Sequence, residues 1–419
     1  MARVVITGIG AVTPVGNDAE KTWDSLKAGR SGVGPITTFD TAGYPVKIGG
    51  MCDDFDPASQ LPAAPANDYL HRAERFGVAA AAEALADAGV EPGTHEPAAA
   101  GVAMGASVDR PTVQELSDVL YVRKQSEGAE LYRFAPSRAL EISQTTGVAR
   151  IAQLAGASGP MISVSTACTA SVHALGEAVR RIQDGDATMM LAGGYDALTS
   201  WLDVLGFALL GALTTEYNDN PEGGSRPFER DRSGFVIGEG SVVFVLEELE
   251  AARARGAEPL AEIAGYTASL NAYRMTDPPP DGGGAVLAMQ GALREAGLTP
   301  DDVDYVVAHG TGTPSGDISE TTGIKRVFGD HANKLVVTSP KSMVGHTTCA
   351  AGALNVLAGV LAMRDGVVSP TINYDNPDPE LDLDYVGNEA REMEVQTVVT
   401  NAFAFGGTNG ALVLRKVDA

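Results

Sequence analysis

Four residues in this chain have the types and settings to do chemistry on a carbonyl group: a cysteine at a strand-to-helix junction, and two histidines and a lysine in glycine-containing turns. Cys168 stands in Ser163-Val164-Ser165-Thr166-Ala167-Cys168-Thr169-Ala170-Ser171. A strand-like run ends at Thr166, and a helix of small and apolar residues is expected from about Cys168 to Ile182, stopped by Asp184-Gly185. A cysteine on the first turn of a helix meets unpaired backbone N–H groups and the positive end of the dipole, which favours a thiolate. Locally, two readings stand side by side, a nucleophile and a buried structural cysteine, the commonest fate of a free thiol.

His309 ends a strand-like run in Ala308-His309-Gly310-Thr311-Gly312-Thr313-Pro314-Ser315-Gly316-Asp317, and Glu320 follows. Lys341 and His346 share the turn Ser339-Pro340-Lys341-Ser342-Met343-Val344-Gly345-His346, which leads into a second small-residue helix. A strand-end histidine is usually structural; here a second one stands beside a lysine in a turn equivalent to the one that carries Cys168. A metal is the rival use of His309, His346 and Cys349. No Cys-x-x-Cys or His-x₃-His spacing supports it, so no metal site is expected. Cys349 precedes Asp365 by 16 residues, as Cys168 precedes Asp184. Its turn already carries His346, so it is read as small packing. Finally, Thr400-Asn401-Ala402-Phe403-Ala404-Phe405-Gly406-Gly407-Thr408-Asn409-Gly410 is a glycine-rich loop between strands, able to set backbone N–H groups against a reacting carbonyl or to serve as a plain tight turn.

The elements that must position these groups come in two copies. Ala84-Leu85-Ala86-Asp87-Ala88-Gly89-Val90-Glu91-Pro92 recurs as Ala292-Leu293-Arg294-Glu295-Ala296-Gly297-Leu298-Thr299-Pro300, each an Ala-rich helix end capped by Gly and followed by Pro. Each leads to a strand and a glycine turn, Gly101–Gly105 and Val306–Gly310. The helix after Cys168 has its counterpart in Ala350–Met363, which ends in Asp365-Gly366. Two similar α/β halves are therefore expected, meeting near residues 250–260, with sheets covered by helices and the two small-residue helices as a central layer. Under an approximate two-fold, the turns of Cys168 and His346 approach each other. The Gly8/Gly10 pair after the first strand invites a dinucleotide-binding reading, but Thr13-Pro14 stands where a Rossmann helix should open and the third glycine is missing.

Composition bounds the rest. The chain has 419 residues, 44% of them hydrophobic, and a formal charge of -24 from 30 basic and 54 acidic residues. That argues against nucleic acid or an anionic membrane as a partner of the whole surface, and leaves room for a local basic patch. Three cysteines in this length are no disulfide framework, and no apolar run reaches the roughly 18 residues of a membrane span. A cytoplasmic protein is expected.

Thr166-Ala167-Cys168, His309-Gly310-Thr311-Gly312-Thr313, Lys341-Ser342-Met343-Val344-Gly345-His346 and Phe405-Gly406-Gly407-Thr408-Asn409, in this order, resemble the β-ketoacyl-acyl carrier protein synthases of the thiolase superfamily. The nearest branch is synthase II together with the ketosynthase subunits of type II polyketide synthases. The resemblance spans essentially the whole chain and includes Val5–Gly10 and Ser225-Arg226-Pro227-Phe228. It implies the thiolase fold, two βαβαβαββ halves in five αβαβα layers (residues 1–255 and 256–419), usually dimeric.

It also implies that Cys168 takes the acyl chain from the phosphopantetheine of an acyl carrier protein. His309 and His346 then bind and polarise the malonyl thioester as it decarboxylates. Lys341 supports them, with Glu320 as its salt-bridge partner and Asp317 as a further supporting residue. The amides of Cys168 and Phe405 form the oxyanion hole, with Gly406 in the same loop, and the Phe405 ring gates the acyl and malonyl pockets. No enzyme-bound cofactor is implied; the phosphopantetheine belongs to the carrier.

A thiolase would need a second cysteine in the Phe405 loop, which is absent, and the non-catalytic chain-length factors lack Cys168. Three departures suggest a specialised ketosynthase of a polyketide pathway, with a housekeeping fatty acid enzyme the open alternative. Gly211 stands where the pattern has a carrier-docking arginine in Gly206–Leu213. Ala73-Glu74 replaces Met-Asp, although Arg72 and Arg75 remain for a basic patch. Residues Asp109–Arg138, expected at the dimer contact and acyl pocket, are unlike synthase II. A homodimer and a heterodimer with a chain-length factor both remain open. So do two remoter readings, a coenzyme A-dependent thiolase-like enzyme and a scaffold without turnover.

Overall fold

The computed structural model describes residues 2–130 and 134–417. Ten strands carry the fold: β1 (Val4–Val12), β2 (Ala100–Ala106), β3 (Met161–Val164), β4 (Met189–Asp196) and β5 (Gly240–Glu248), then β6 (Ala261–Leu270), β7 (Tyr305–Val307), β8 (Val336–Thr338), β9 (Thr397–Phe403) and β10 (Thr408–Arg415). Their order across the sheet is β8-β7-β9-β10-β6-β1-β5-β4-β2-β3. Each half therefore has the same internal order, 3-2-4-5-1, with its first strand innermost. The pairings repeat too. The second strand is parallel to the third and fourth, and the last two pairs are antiparallel. Where the halves meet, β1 and β6 share only Val5↔Glu262 and Ile6↔Ala261.

Six principal helices alternate with these strands: α1 (Arg72–Asp87), α2 (Gln144–Ala155) and α3 (Ala170–Gln183) in the first half, α4 (Gly283–Ala296), α5 (Pro314–Phe328) and α6 (Ala351–Asp365) in the second. Both halves thus run β-α-β-α-β-α-β-β. Three cores show the layering. One joins α3 and α6 to the inward faces of both half-sheets through Val172, Leu175, Leu357, Val360, Ile6 and Leu412. The others pack α4 and α5 on one outer face and α1 and α2 on the opposite one. The result is α/β/α/β/α. Helix α6 is buried from Ala351 through Met363, which is why it is apolar on every side. Helix α3 shares this central layer but carries Glu177, Arg180 and Arg181 on its outer stripe, where Arg180 meets Glu295 of α4 at 2.6 Å.

The glycines of β1 have a packing cause. A Cβ at Gly10 would stand 1.9 Å from the Ala80 carbonyl oxygen, and one at Gly8 2.3 Å from that of Ala84. The second half repeats the approach, with Gly265 of β6 at 2.2 Å from the Ala292 oxygen of α4. These glycines let a helix lie directly on a strand; no phosphate is needed to explain them.

Candidate active site

The groups singled out above all lie just beyond the carboxyl ends of parallel strands or in the β9–β10 hairpin. After β3 the chain enters a short 3₁₀ turn, Ala167–Thr169, before α3. Ala167 holds φ at +51°, a left-handed conformation costly for a residue with a Cβ, and Cys168 follows it. The same device recurs after β8. Thr348, at φ +45°, precedes Cys349 in the turn Thr348–Ala350 that opens α6. Cys349 is therefore the structural counterpart of Cys168. It is only 2% exposed, and its amide is held at 3.1 Å by the Asp196 carboxylate, which also accepts from the Thr348 hydroxyl at 2.5 Å. Cys168 is half-buried and opens on a cavity.

That cavity holds about 790 Å³ of empty space out to its open mouth, and Cys168, His309, His346, Phe405, Thr311 and Asn409 are among its lining residues. The two imidazoles meet edge to face, with ring centres 5.2 Å apart. Burial, with the Lys341 ammonium nearby, lowers both well below the usual histidine range, so both are neutral. His346 Nδ1 accepts from the Thr348 amide at 3.3 Å, which assigns the ring proton to Nε2 and makes that nitrogen the donor. A line of rings supports the pair. Phe405 lies 6.4 Å from Phe207, Phe207 5.6 Å from Phe235, and Phe235 5.3 Å from His346. Phe403 backs His309 at 5.6 Å. Phe235 escaped the sequence reading, because its place in the site depends on Leu213↔Phe235 and Ile237↔His346 bridges between distant segments.

Four expectations are corrected. Cys168 does not carry a lowered pKa: burial pushes its thiol up to about 12, and the draw of Lys341 does not offset the loss of water. Glu320 does not bridge to Lys341. Its carboxylate accepts from the His309 and Gly310 amides, both at 2.8 Å, and from Asn401 Nδ2 at 3.1 Å. It holds the His309 turn, while the Lys341 ammonium is buried without a hydrogen-bond partner and burial brings its pKa down to about 8. Gly406 does not offer its amide to the cavity, since that N–H donates to the Met275 carbonyl at 2.7 Å. Arg72 is no free member of a basic patch, because its guanidinium grips buried Glu239 at 2.5 and 2.9 Å.

The remaining groups stand as follows. Asp317 accepts from the Phe228 amide at 2.7 Å and from those of Thr311 and Gly312 at 3.2 Å, shaping the loop after His309; burial raises its carboxyl to about 7. The Cys168 amide sits on the first turn of its helix, where N–H groups lack intrahelical acceptors, and the Phe405 amide lies in the hairpin loop between β9 and β10. Gly211 lies in the exposed turn just past the helix Trp201–Leu209, beside Leu209 and Leu210, which are 79% and 58% exposed. In the segment 109–138, residues 131–133 lie outside the described residues. Around them the helix Val113–Gln125 buries none of its side chains, and Arg138 gathers Asp109, Glu115 and Glu141. Among the described residues no three His, Cys, Asp or Glu side chains gather as a metal would require, and no helix is long and apolar enough to cross a membrane.

Two copies of βαβαβαββ around a central helix pair define a thiolase-fold protein, and solved structures agree. A ketosynthase solved in complex with its type II polyketide acyl-carrier protein matches with a TM-score of 0.87 at 32% identity, covering 100% of both chains. A β-ketoacyl synthase from Burkholderia phymatum matches at 0.88 and 34%, also over 100% of both. Family models for the β-ketoacyl synthase N-terminal domain and C-terminal domain match residues 1–252 and 260–375. The chain belongs to the β-ketoacyl synthase family. It is similar to the 3-oxoacyl-[acyl-carrier-protein] synthase 2 of Coxiella burnetii, 44% identical over 419 residues, and to that of Vibrio harveyi, 40% over 416, each alignment covering 99% of both chains.

Proposed function

We propose that this protein is a decarboxylative condensing enzyme that lengthens an acyl chain carried by an acyl carrier protein. The observation that carries the reading is the opening of Cys168, neutral His309 and neutral His346 on one cavity beside the buried ammonium of Lys341. In the first step the Cys168 sulfur attacks the thioester carbonyl of an acyl-phosphopantetheine. A new C–S bond forms, the old one breaks, and the thiol proton leaves with the carrier's sulfur. The Cys168 and Phe405 amides donate to the oxyanion.

In the second step a malonyl thioester enters and loses carbon dioxide. The electron pair of the broken C–C bond passes into an enolate whose oxygen takes hydrogen bonds from His309 and from His346 Nε2. Neutral imidazoles suit this work, since they donate without adding the cost of a buried charge. The enolate carbon attacks the Cys168 thioester, a C–C bond forms, and the sulfur leaves. Lys341 stabilises both the developing enolate and the departing thiolate through space, and Glu320 and Asp317 hold the His309 loop. The half 1–255 brings the nucleophile and the half 256–419 the donors.

Fatty acyl elongation is the favoured pathway, because the synthase 2 relatives are 44% and 40% identical against 32% and 34% for the polyketide ketosynthase and the ishigamide ketosynthase/chain length factor. The working unit is a homodimer formed across the open edge strand β3. Met161 on that edge is 48% exposed, and Leu120, Tyr121, Leu140 and Ile142 are exposed in the neighbouring segment. The site is reached from the cytoplasm by loaded carriers. The test separates the two steps. His309→Ala and His346→Ala should still gain the acyl mass on Cys168 from acyl carrier protein, yet release carbon dioxide from malonyl-carrier at least about a hundredfold more slowly. Undiminished decarboxylation in both variants would refute their assignment.

A further inference from the structure

The two amides that receive the oxyanion come from opposite halves of the chain, and catalysis requires their separation to be held within a fraction of an ångström. The Phe405 loop is closed on itself: the Ala404 amide donates to the Thr408 carbonyl at 2.9 Å and the Gly407 amide to the Ala404 carbonyl at 3.0 Å. Loop and Thr408 therefore form one unit. Two outward tethers, Gly406 N–H to the Met275 carbonyl and Asn271 N–H to the Gly407 carbonyl at 2.8 Å, end on the segment after β6, whose Met275 side chain is 81% exposed. Another runs inward. The hydroxyls of Thr408 and fully buried Thr169 lie 3.0 Å apart, and Thr169 is the residue after Cys168.

Proton counting gives this contact a direction. The Thr169 hydroxyl donates to the Thr166 carbonyl at 2.7 Å, which uses its only proton. The Thr408 hydroxyl is thus the donor to Thr169. Behind them, Thr166 is fixed by a 3.1 Å contact from its own hydroxyl to His173 Nδ1, one helical turn into α3. We infer that Thr408 is a positioning residue for acyl transfer: its hydroxyl pins the Phe405 loop to the Cys168 turn through Thr169 and so sets the spacing of the two oxyanion donors. The residue touches no reacting atom; it acts through the Phe405 amide. This inference rests on the reading of the Cys168 and Phe405 amides as the oxyanion hole.

Two reactions of the same sulfur distinguish positioning from general disturbance. Alkylation of Cys168 by iodoacetamide displaces iodide at a saturated carbon and generates no oxyanion, whereas acylation by acyl carrier protein passes through one. Thr408→Val removes the hydroxyl while keeping the backbone bond to Ala404 and the side-chain shape. It should slow acylation, followed by intact-protein mass, about tenfold, and change alkylation by less than about twofold. Thr408→Ser, which restores the donor, should bring acylation back to within about twofold of wild type. Should the valine variant prove insoluble, Thr408→Ala is measured in the same way. Acylation at the wild-type rate, or a parallel fall in both reactions, would overturn the inference while leaving the proposed function intact. Wild type that alkylates at Cys168 but takes no acyl group would overturn the function reading itself.

Discussion

At Cys168, desolvation and the helix start pull in opposite directions, and desolvation wins. An exposed cysteine on a first helical turn is acidified by the dipole; this one, facing an apolar cavity, has its thiol pushed up to about 12 even with Lys341 in reach. Acyl transfer then cannot begin from a stored thiolate, and the proton must depart during attack. Alkylation of the free enzyme by iodoacetamide should accordingly rise about tenfold per pH unit between about pH 7 and pH 8, with no plateau by about pH 9. The rise should become shallower above pH 8, where Lys341 sheds the proton that draws the thiol down. A plateau near pH 7 would show a lowered pKa and contradict this balance. The candidate residues could be singled out because Cys168, His309, Lys341 and His346 each sit in a short local motif at an element end. What escaped the reading was the partner each one has. Glu320 turned out to serve backbone amides and the Asp196 carboxylate to anchor the Cys349 turn, choices fixed by contacts across the fold.

Among the elements, the duplication was legible from helix endings, since Gly89 and Gly297 both hold positive φ where their helices stop, a conformation glycine alone adopts freely. The repeated strand order was not legible. Strands of three residues such as β7 and β8 carry too little periodicity to be ordered, and pairing is decided between segments far apart in sequence. The two halves nonetheless solve the same problems with the same devices, a left-handed residue before each cysteine and a glycine where the first strand touches its helix. Gly10→Ala tests the second device. With its new Cβ 1.9 Å from a backbone oxygen, β1 and α1 must separate, and a loss of about 3 kcal/mol or more in thermal or denaturant unfolding is expected. Stability within about 0.5 kcal/mol of wild type would mean that the layers are less tightly seated than the geometry requires.

The whole molecule is an asymmetric use of a symmetric frame. One half keeps its elbow cysteine open to the cavity and the other buries it, while His309, Lys341 and His346 all come from the second half. Edge strand β3 and the apolar side chains near it give the molecule an uncovered face, and light scattering should find twice the chain's 43.2 kDa in solution. Met161→Arg should shift that mass toward the single chain, and a monomeric wild type would contradict the proposed dimer. Surface of this kind was hinted at in the sequence only by the unusual residues 109–138, because exposure is a property of the assembled layers.

In the proposed reaction, acyl storage on Cys168 and loss of carbon dioxide are two halves of one turnover. Enzyme acylated from acyl carrier protein and freed of excess donor should be mixed with malonyl-carrier labelled in its free carboxyl group. The acyl mass should leave Cys168 as an equal amount of labelled carbon dioxide is released, and the carrier should emerge with a β-ketoacyl chain two carbons longer. Loss of the acyl group without labelled carbon dioxide, or label release and chain growth unchanged in Cys168→Ala, would contradict it.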